Sequence, residues 1–234
     1  MKTLSIITIS LLLLIGCNQA QNKSRSTANE KVPFMTADTT FNFNRCETGK
    51  LPVGWSEAFT GRGTGTRWEV VDDNGNKILA QLSSDNPNYH FNVAVYDGFK
   101  VKDVELTVRM KGVDGHMDQG GGFVWRYIDA DNYYVVRANP LEDNVVLYKV
   151  ENGKRSDLPL IGKGRTYGTE VPALGKGWNN LKLTVVDDLF TVFLNGKQIF
   201  QVKDKTFTEA GKIGLWTKAD AVSYFDDLVV KAIK

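Results

Sequence analysis

The sequence predicts an all-β protein, a sandwich or barrel built from short strands. Three Asn-Gly pairs, at residues 74–75, 152–153 and 195–196, each lie between runs that are rich in β-branched and aromatic residues. Asn-Gly suits the type I′ hairpin turn, because both central residues of that turn need positive φ. Beyond residue 40 the chain has about a dozen short alternating segments and no amphipathic helix, a pattern typical of sandwiches and barrels.

The segment FTVFLNGKQIFQV shows this pattern most clearly. Phe190, Val192 and Leu194 alternate with Thr191 and Phe193 before the Asn-Gly turn, as expected for a strand with one face in the core. Similar alternation occurs in VELTVRMKG, NVVLYKV, NNLKLTVV and VSYFDDLVV. We find no internal repeat and no second boundary, so residues 37–234 are predicted to form one domain.

The N-terminus predicts export and lipid anchoring. Lys2 precedes an apolar run at residues 4–15, which is too short to span a bilayer and is typical of a signal peptide. The run ends in Leu-Ile-Gly-Cys, which resembles the bacterial lipoprotein box. We therefore predict a signal peptide at 1–16, a lipidated Cys17 and a polar, flexible tether at 17–36. The predicted location is the bacterial cell envelope, facing the periplasm.

Composition narrows the partners. The formal net charge is only +2 over 234 residues, and no basic block stands out, which excludes nucleic acid as an expected partner. Contact with a membrane is expected through the lipid anchor only. Cys46 is expected to be a small buried hydrophobe. The sequence does not predict an oligomeric state.

The segment GGGFVWRYIDADNYYVVRANP, residues 120–140, is open to three interpretations. A phosphate loop needs Lys-Ser/Thr at the start of a helix, whereas these glycines lead into strand-like residues. An EF-hand needs glycine and glutamate at its sixth and twelfth positions, where Tyr134 and Pro140 stand. The segment is therefore predicted to be a β-hairpin with a turn at Asp-Ala-Asp-Asn. No cofactor is expected, and a structural calcium ion at this turn is the alternative interpretation.

Catalytic signals are weak. The two histidines, His90 and His116, have no cysteine or second histidine at ligand spacing, and the chain has no Gly-x-Ser-x-Gly motif. Glycoside hydrolysis needs two carboxylates about 5–10 Å apart, and no single strand supplies them. Candidates that would have to converge from distant strands are Glu105, Glu142, Asp143 and Asp226.

The hairpin offers a plausible sugar-binding surface instead. Sugars bind to aromatic faces and to fork-shaped or amide donors. Alternation places Tyr133, Arg137 and Asn139 on one strand face, while residues 134, 136 and 138 face the core. The alternative is a solvated face with a structural arginine. The complete set of predicted ligand-binding residues is Trp125, Tyr133, Arg137, Asn139, Trp216 and Lys218.

The hairpin, together with LPVGW, GWNNLKLTVVDDLFTVFLNGKQI and GKIGLWTKADAVSYFDDLVV, resembles the concanavalin A-like lectin/glucanase sandwiches. It is most similar to bacterial secreted domains known as 3-keto-disaccharide hydrolase or family 16 glycoside hydrolase-like. The resemblance covers nearly all of residues 40–234. It implies a two-sheet antiparallel sandwich of the jelly-roll type, with any glycan on the concave sheet. The family 16 catalytic strand is missing.

Three functions follow as hypotheses. The leading one is a lipid-anchored carbohydrate-binding domain of the cell envelope that takes part in glycan processing or works beside glycan-processing proteins. The first alternative is a glycoside or 3-keto-glycoside hydrolase or lyase. The second alternative is a structural interaction module without a small ligand.

Overall fold

A computed structural model describes residues 13–14 and 32–233, and these residues form two antiparallel sheets packed face to face. The described chain has seventeen strands and one short 3-10 helix, η1, at Phe43–Arg45. The strands are β1 (Leu13–Leu14), β2 (Thr39–Phe41), β3 (Trp55–Gly61), β4 (Trp68–Asp73), β5 (Asn76–Gln81), β6 (His90–Val101), β7 (Val104–Asp114), β8 (Gly121–Asp129), β9 (Asn132–Asn139), β10 (Asn144–Glu151), β11 (Lys154–Asp157), β12 (Thr169–Glu170), β13 (Asn179–Val186), β14 (Leu189–Leu194), β15 (Lys197–Lys203), β16 (Gly211–Lys218) and β17 (Val222–Ala232). The predicted all-β sandwich is confirmed.

The strands divide into sheet I and sheet II. Sheet I has the order β1-β2-β17-β7-β13-β14-β15, with β5 also paired to β17 and β4 paired to β5. Sheet II has the order β11-β10-β9-β8-β16-β6-β3, with β12 beside β10. The pairs within both sheets are antiparallel except for β1 with β2. In the part of the chain that the structure describes, no helix is long and apolar enough to cross a membrane.

The three Asn-Gly pairs form the predicted hairpin turns. Asn74, Asn152 and Asn195 have φ of 60°, 52° and 48°, and each following glycine also has positive φ. The turns join β4 to β5, β10 to β11, and β14 to β15. Positive φ at both central residues is the type I′ geometry, which matches the twist of paired strands.

The main core lies between the sheets. It includes Leu106, Leu183 and Phe225 from sheet I and Phe123 and Tyr134 from sheet II. Cys46 also lies in this core and is 4% exposed, so its predicted burial is confirmed. Burial of this much apolar surface is the main stabilising contribution to such a sandwich.

A second apolar cluster contains residues from sheet II alone. Its aromatic members are Phe91, Tyr127, Tyr133, Tyr148 and Trp216. Because neighbouring side chains on a strand point to opposite faces, this cluster lies on the face of sheet II that points away from sheet I. We call this surface the outer face.

Two diagonally opposite corners of sheet II meet above the outer face. The hydroxyl of Thr60, in edge strand β3, lies 2.7 Å from the hydroxyl of Tyr133 and also donates to the carbonyl of Ala130. Just before β6, the Tyr89 hydroxyl donates to the Gly153 carbonyl at 3.2 Å and accepts from the Arg155 N–H at 2.9 Å. We call these contacts the clasp; they require sheet II to curl strongly.

The N-terminal predictions fall largely outside the described residues. This holds for the lipidated Cys17 and for the signal peptide apart from the two residues of β1. The last part of the predicted tether is described, and it touches the domain. Phe34 forms an isolated bridge with Lys100, and the Met35 N–H donates to the Lys100 carbonyl at 2.9 Å.

Candidate functional site

Five of the six predicted binding residues lie on the outer face. Tyr133, Arg137 and Asn139 lie there together, as the alternation in β9 predicts, and Trp216 and Lys218 reach it from β16. Trp216 pairs with Gly122 of β8, and Gly122 pairs in turn with Arg137. A Cβ on Gly122 would collide with the carbonyl oxygen of Val136, so glycine is needed for β8 and β9 to approach.

The prediction that Trp125 belongs to this surface is wrong. Its side chain is fully buried between the sheets, with its ring centroid 5.3 Å from those of Tyr134 and Phe190. The cause is the pairing of Trp125 with Tyr134 of β9, because directly paired residues share a face of the sheet and Tyr134 faces the core. A β-bulge follows Trp125, where Arg126 has φ of 45° and the register with β9 shifts. An added residue reverses the alternation that follows it. Tyr127 therefore lies on the outer face, although regular alternation would place it in the core with Trp125.

Arg137 is the centre of the polar contacts on the outer face. Its side chain is 2% exposed and its Nη2 donates to Glu142 Oε2 at 2.7 Å. The same nitrogen lies 3.2 Å from the Tyr148 hydroxyl, and Nη1 donates to the side-chain and main-chain oxygens of Asn144. A buried guanidinium held in this way has a fixed orientation.

Both members of the Arg137–Glu142 pair stay charged. Burial alone lowers the pKa of Arg137, but the nearby Tyr148 and acidic neighbours oppose this, and the net direction is upward. Burial alone raises the pKa of Glu142, but the charge of Arg137 and hydrogen bonds from Asn144 and Arg137 bring it below its ordinary value. Glu142 is therefore ionised at neutral pH and has no proton to donate as a general acid.

A second ion pair lies beside the first. Lys218 Nζ is 3.2 Å from Asp118 Oδ2, and the Asp118 side chain is 2% exposed. Asp118 Oδ1 also accepts the Gly120 N–H at 2.7 Å. The loop that carries Asp118 is held by Asp220, which accepts hydrogen bonds from the N–H groups of residues 116–118 at 2.7–3.2 Å. We call Arg137, Asn139, Glu142, Lys218 and Asp118 the polar end of the outer face.

Two donors at the polar end have no protein partner. Asn139 is fully buried; its Oδ1 accepts the Leu141 N–H at 3.0 Å, but its Nδ2 has no hydrogen-bond partner among the described residues. Arg137 Nε is also buried and unpartnered there. Leaving such a group unsatisfied costs about 1–3 kcal/mol, so both donors are suited to donate hydrogen bonds to oxygen atoms of a ligand or of water.

The apolar part of the outer face is covered by one arginine. Arg155, from β11, places its guanidinium carbon 4.7 Å from the ring centroid of Phe91, 4.4 Å from that of Tyr148 and 5.9 Å from that of Trp216. We call these three rings the aromatic floor. Tyr167, which is 48% exposed, extends it outward through a 3.1 Å contact between its hydroxyl and that of Tyr148.

The four carboxylates considered for hydrolysis do not converge. Glu105 and Asp226 belong to sheet I, where Glu105 pairs with Lys182 at 2.7 Å and Asp226 accepts from Asn76 at 2.8 Å. Asp143 lies near Glu142 in the β9–β10 turn, but its Oδ1 caps the N–H of Leu174 at 2.9 Å. The structure thus gives the acid/base hypothesis no pair of facing carboxylates among these four.

The Asp-Ala-Asp-Asn segment forms the predicted turn between β8 and β9. Asp129 Oδ1 accepts the Asp131 N–H and the Asn132 side-chain amide, both at 2.9 Å. Such local hydrogen bonding is typical of Asx turns. Across residues 13–14 and 32–233, no three His, Cys, Asp or Glu side chains are grouped so that they could hold a metal ion.

A cavity of about 460 Å³ lies away from the outer face, and Arg126, Lys102 and Asp187 are among its lining residues. Arg126 donates to the carbonyl oxygens of Phe207 and Asp187 at 2.8 and 2.6 Å, and to that of Lys102 at 3.3 Å. Its guanidinium therefore joins three loops. We place the candidate site on the outer face despite this cavity, because the unpartnered buried donors Arg137 Nε and Asn139 Nδ2 lie there.

Sequence reasoning missed several residues of the site. Tyr148 could have been found, because NVVLYKV alternates and places it opposite the core-facing positions of β10. Arg155 and Asp118 had no such signal. Arg155 reaches the floor only because β11 folds back after an Asn-Gly turn, and Asp118 lies in an irregular loop.

Comparisons with known proteins bear on the fold. No protein-family model matches the chain. No curated protein sequence matches it either. Solved structures, in contrast, match over most of its length. The chain shares its fold with a carbohydrate-binding module.

That module is CBM66 from Bacillus subtilis, which is 21% identical with a TM-score of 0.56; the match covers 76% of this chain and 96% of the module. A mutant of the GH43 protein BlXynB from Bacillus licheniformis is 15% identical with a TM-score of 0.55, and the match covers 91% of this chain but 41% of that protein. A protein of unknown function from Shewanella oneidensis MR-1 is 14% identical with a TM-score of 0.52, with 88% and 90% covered.

Proposed function

We propose that this chain is a carbohydrate-binding domain and that its binding site is the polar end of the outer face. The observation that carries the proposal is the pair of unpartnered buried donors, Arg137 Nε and Asn139 Nδ2, from two residues on the same face of β9. Sugar hydroxyls supply the oxygen acceptors that such donors need, and they also donate to carboxylates such as Glu142.

The surroundings fit a sugar as well. Tyr167 is half exposed at the edge of the polar end, and aromatic side chains pack against the C–H surfaces of sugar rings. Glu142 and Lys218 add one acceptor and one donor that are partly accessible, with side chains 38% and 14% exposed. The likeness in fold to a carbohydrate-binding module supports the same function.

Binding to a glycan array, followed by calorimetry with the full chain, tests this proposal. We expect at least one glycan to bind, and we expect Lys218→Ala to weaken binding about tenfold, as for loss of a charged hydrogen bond. Lys182→Ala is the matched control, because Lys182 is also paired with a carboxylate but lies in sheet I. Absence of any binding at millimolar glycan, with the fold intact, would refute the proposal.

We further propose that the domain is held at the bacterial cell envelope by lipid on Cys17 and faces the periplasm. The support is the Leu-Ile-Gly-Cys motif at the end of the apolar run. Labelling of cells with an alkyne fatty acid should mark the wild-type chain and leave Cys17→Ser unmarked. A soluble, unlabelled wild-type chain would contradict the anchor without bearing on glycan binding.

A further inference from the structure

Two of three cations on the outer face are paired with carboxylates. Arg137 is neutralised by Glu142 at 2.7 Å, and Lys218 is neutralised by Asp118 at 3.2 Å. Arg155 has no comparable partner: its guanidinium forms no hydrogen bond or ion pair with any residue in 32–233. One of its nitrogens, Nη1, is buried and unpartnered. Of these three cations, Arg155 therefore has no carboxylate partner among the described residues.

This charge is held in place by its surroundings. The guanidinium lies 4.4 Å from the ring centroid of Tyr148 and above the other two rings of the aromatic floor. The Arg155 main chain is fixed by the 2.9 Å hydrogen bond from its N–H to the Tyr89 hydroxyl. Cation–π contacts stabilise the charged form but leave the hydrogen-bonding edge of the guanidinium unused. A planar guanidinium with unused N–H groups matches a carboxylate in shape and charge.

Arg155 and the polar end share one residue. The Tyr148 ring lies against Arg155, and its hydroxyl lies 3.2 Å from Arg137 Nη2. A sugar whose hydroxyls are bound at Arg137 and Asn139 would therefore have its neighbouring substituent close to Arg155. On the basis of the proposed function, we propose that Arg155 binds a carboxylate of the ligand, and that the preferred ligands are acidic glycans built from uronic acids.

Paired glycans test this proposal. We would titrate the full chain with oligoglucuronate, oligogalacturonate and oligomannuronate, and with the same oligosaccharides after their carboxyl groups have been reduced to hydroxymethyl groups. Wild-type protein should bind at least one acidic member about ten- to a hundredfold more tightly than its reduced counterpart, as expected for a charged hydrogen-bonded pair. High salt should narrow the difference.

Two variants separate recognition from structure. Arg155→Gln should lose the preference for the acidic member while it still binds the reduced one, and Arg155→Lys should keep only part of the preference, because lysine cannot bind a carboxylate bidentately. Thermal unfolding of both variants checks that the fold is intact. Should one variant fail to fold, the other still tests the role of Arg155, and the comparison of each glycan with its reduced form by the wild-type protein decides whether acidic glycans are preferred.

The outcomes distinguish this inference from the proposed function. Equal affinity for acidic and reduced members would overturn the role of Arg155 and leave carbohydrate binding in place. Binding of neutral glycans alone would do the same. A preference for acidic members that survives in Arg155→Gln would assign the carboxylate to another residue and also overturn the inference. Failure to bind any glycan of either set, or of the array, would overturn both.

Discussion

The Arg137–Glu142 pair should respond very differently to removal of its two members. The Arg137 side chain is 2% exposed and that of Glu142 is 38% exposed. Glu142→Ala therefore leaves a buried positive charge without its counterion, whereas Arg137→Met leaves a carboxylate that water can reach. Breaking a buried pair costs about 3–5 kcal/mol when the stranded charge stays buried. We expect Glu142→Ala to cost about 3 kcal/mol, at the lower end of that range, because the partner side is open to solvent.

Arg137→Met should cost only about 1 kcal/mol, since methionine replaces the arginine stem and the lost hydrogen bonds to Asn144 and Tyr148 are each modest. Urea unfolding, followed by tryptophan fluorescence, measures both changes. The control is Glu105→Ala in sheet I, whose ion pair with Lys182 is more exposed and should contribute about 0–1 kcal/mol. A larger loss for Arg137→Met than for Glu142→Ala, or a Glu142→Ala loss no greater than that of the control, would refute this reasoning.

Three further predictions concern other parts of the sandwich. Arg126→Met should lower the free energy of unfolding by about 3 kcal/mol or more in urea titrations, because three loop carbonyls lose their donor; Lys102→Met, at an exposed cation on the same cavity, should cost under about 1 kcal/mol. Gly122→Ala should separate β8 from β9 and remove slow hydrogen exchange from that hairpin, and unchanged exchange would contradict the close approach. Burial tends to raise the pKa of Asp220, but hydrogen bonds from the N–H groups of residues 116–118 bring it below the ordinary 3.8. Its contribution to stability should therefore be complete above about pH 4 and disappear as the pH falls below that, so wild-type and Asp220→Asn unfolding curves should converge in acid; a constant difference would argue against this.

The sequence predicted the strands and the face of β9 correctly, because both depend on local rules. Alternation placed Tyr133, Arg137 and Asn139 on one face, and Asn-Gly placed the hairpin turns. It failed at Trp125, because alternation shows which residues of β8 share a face but not which of the two faces is the core. Nothing in the sequence indicated the bulge at Arg126 either, because an arginine with φ of 45° is uncommon and its hydrogen-bond partners lie in loops far along the chain.

The remaining parts of the site depend on the curl of sheet II. Arg155 looks like a solvent-exposed residue beside a turn until the corner of the sheet folds over and places it on three aromatic rings. Asp118 is a buried partner of Lys218 only when Asp220 holds the loop that carries Asp118 through hydrogen bonds to its backbone N–H groups. Local sequence patterns cannot predict these two contacts, because each contact joins segments that are separated by tens of residues.

The clasp also bears on the order in which the protein folds. Its hydroxyl contacts join residues 73 positions apart in one case and 64 in the other. Contacts of such long range close large loops and form slowly, after nearby hairpins already exist. Only a few hydrogen bonds form the clasp, and two of the residues involved, Thr60 and Gly153, lie in or beside the edge strands of sheet II. We therefore expect the clasp to close last during folding and to open first under native conditions, with amide exchange near Tyr89 and Gly153 faster than exchange in the middle of β8 and β16.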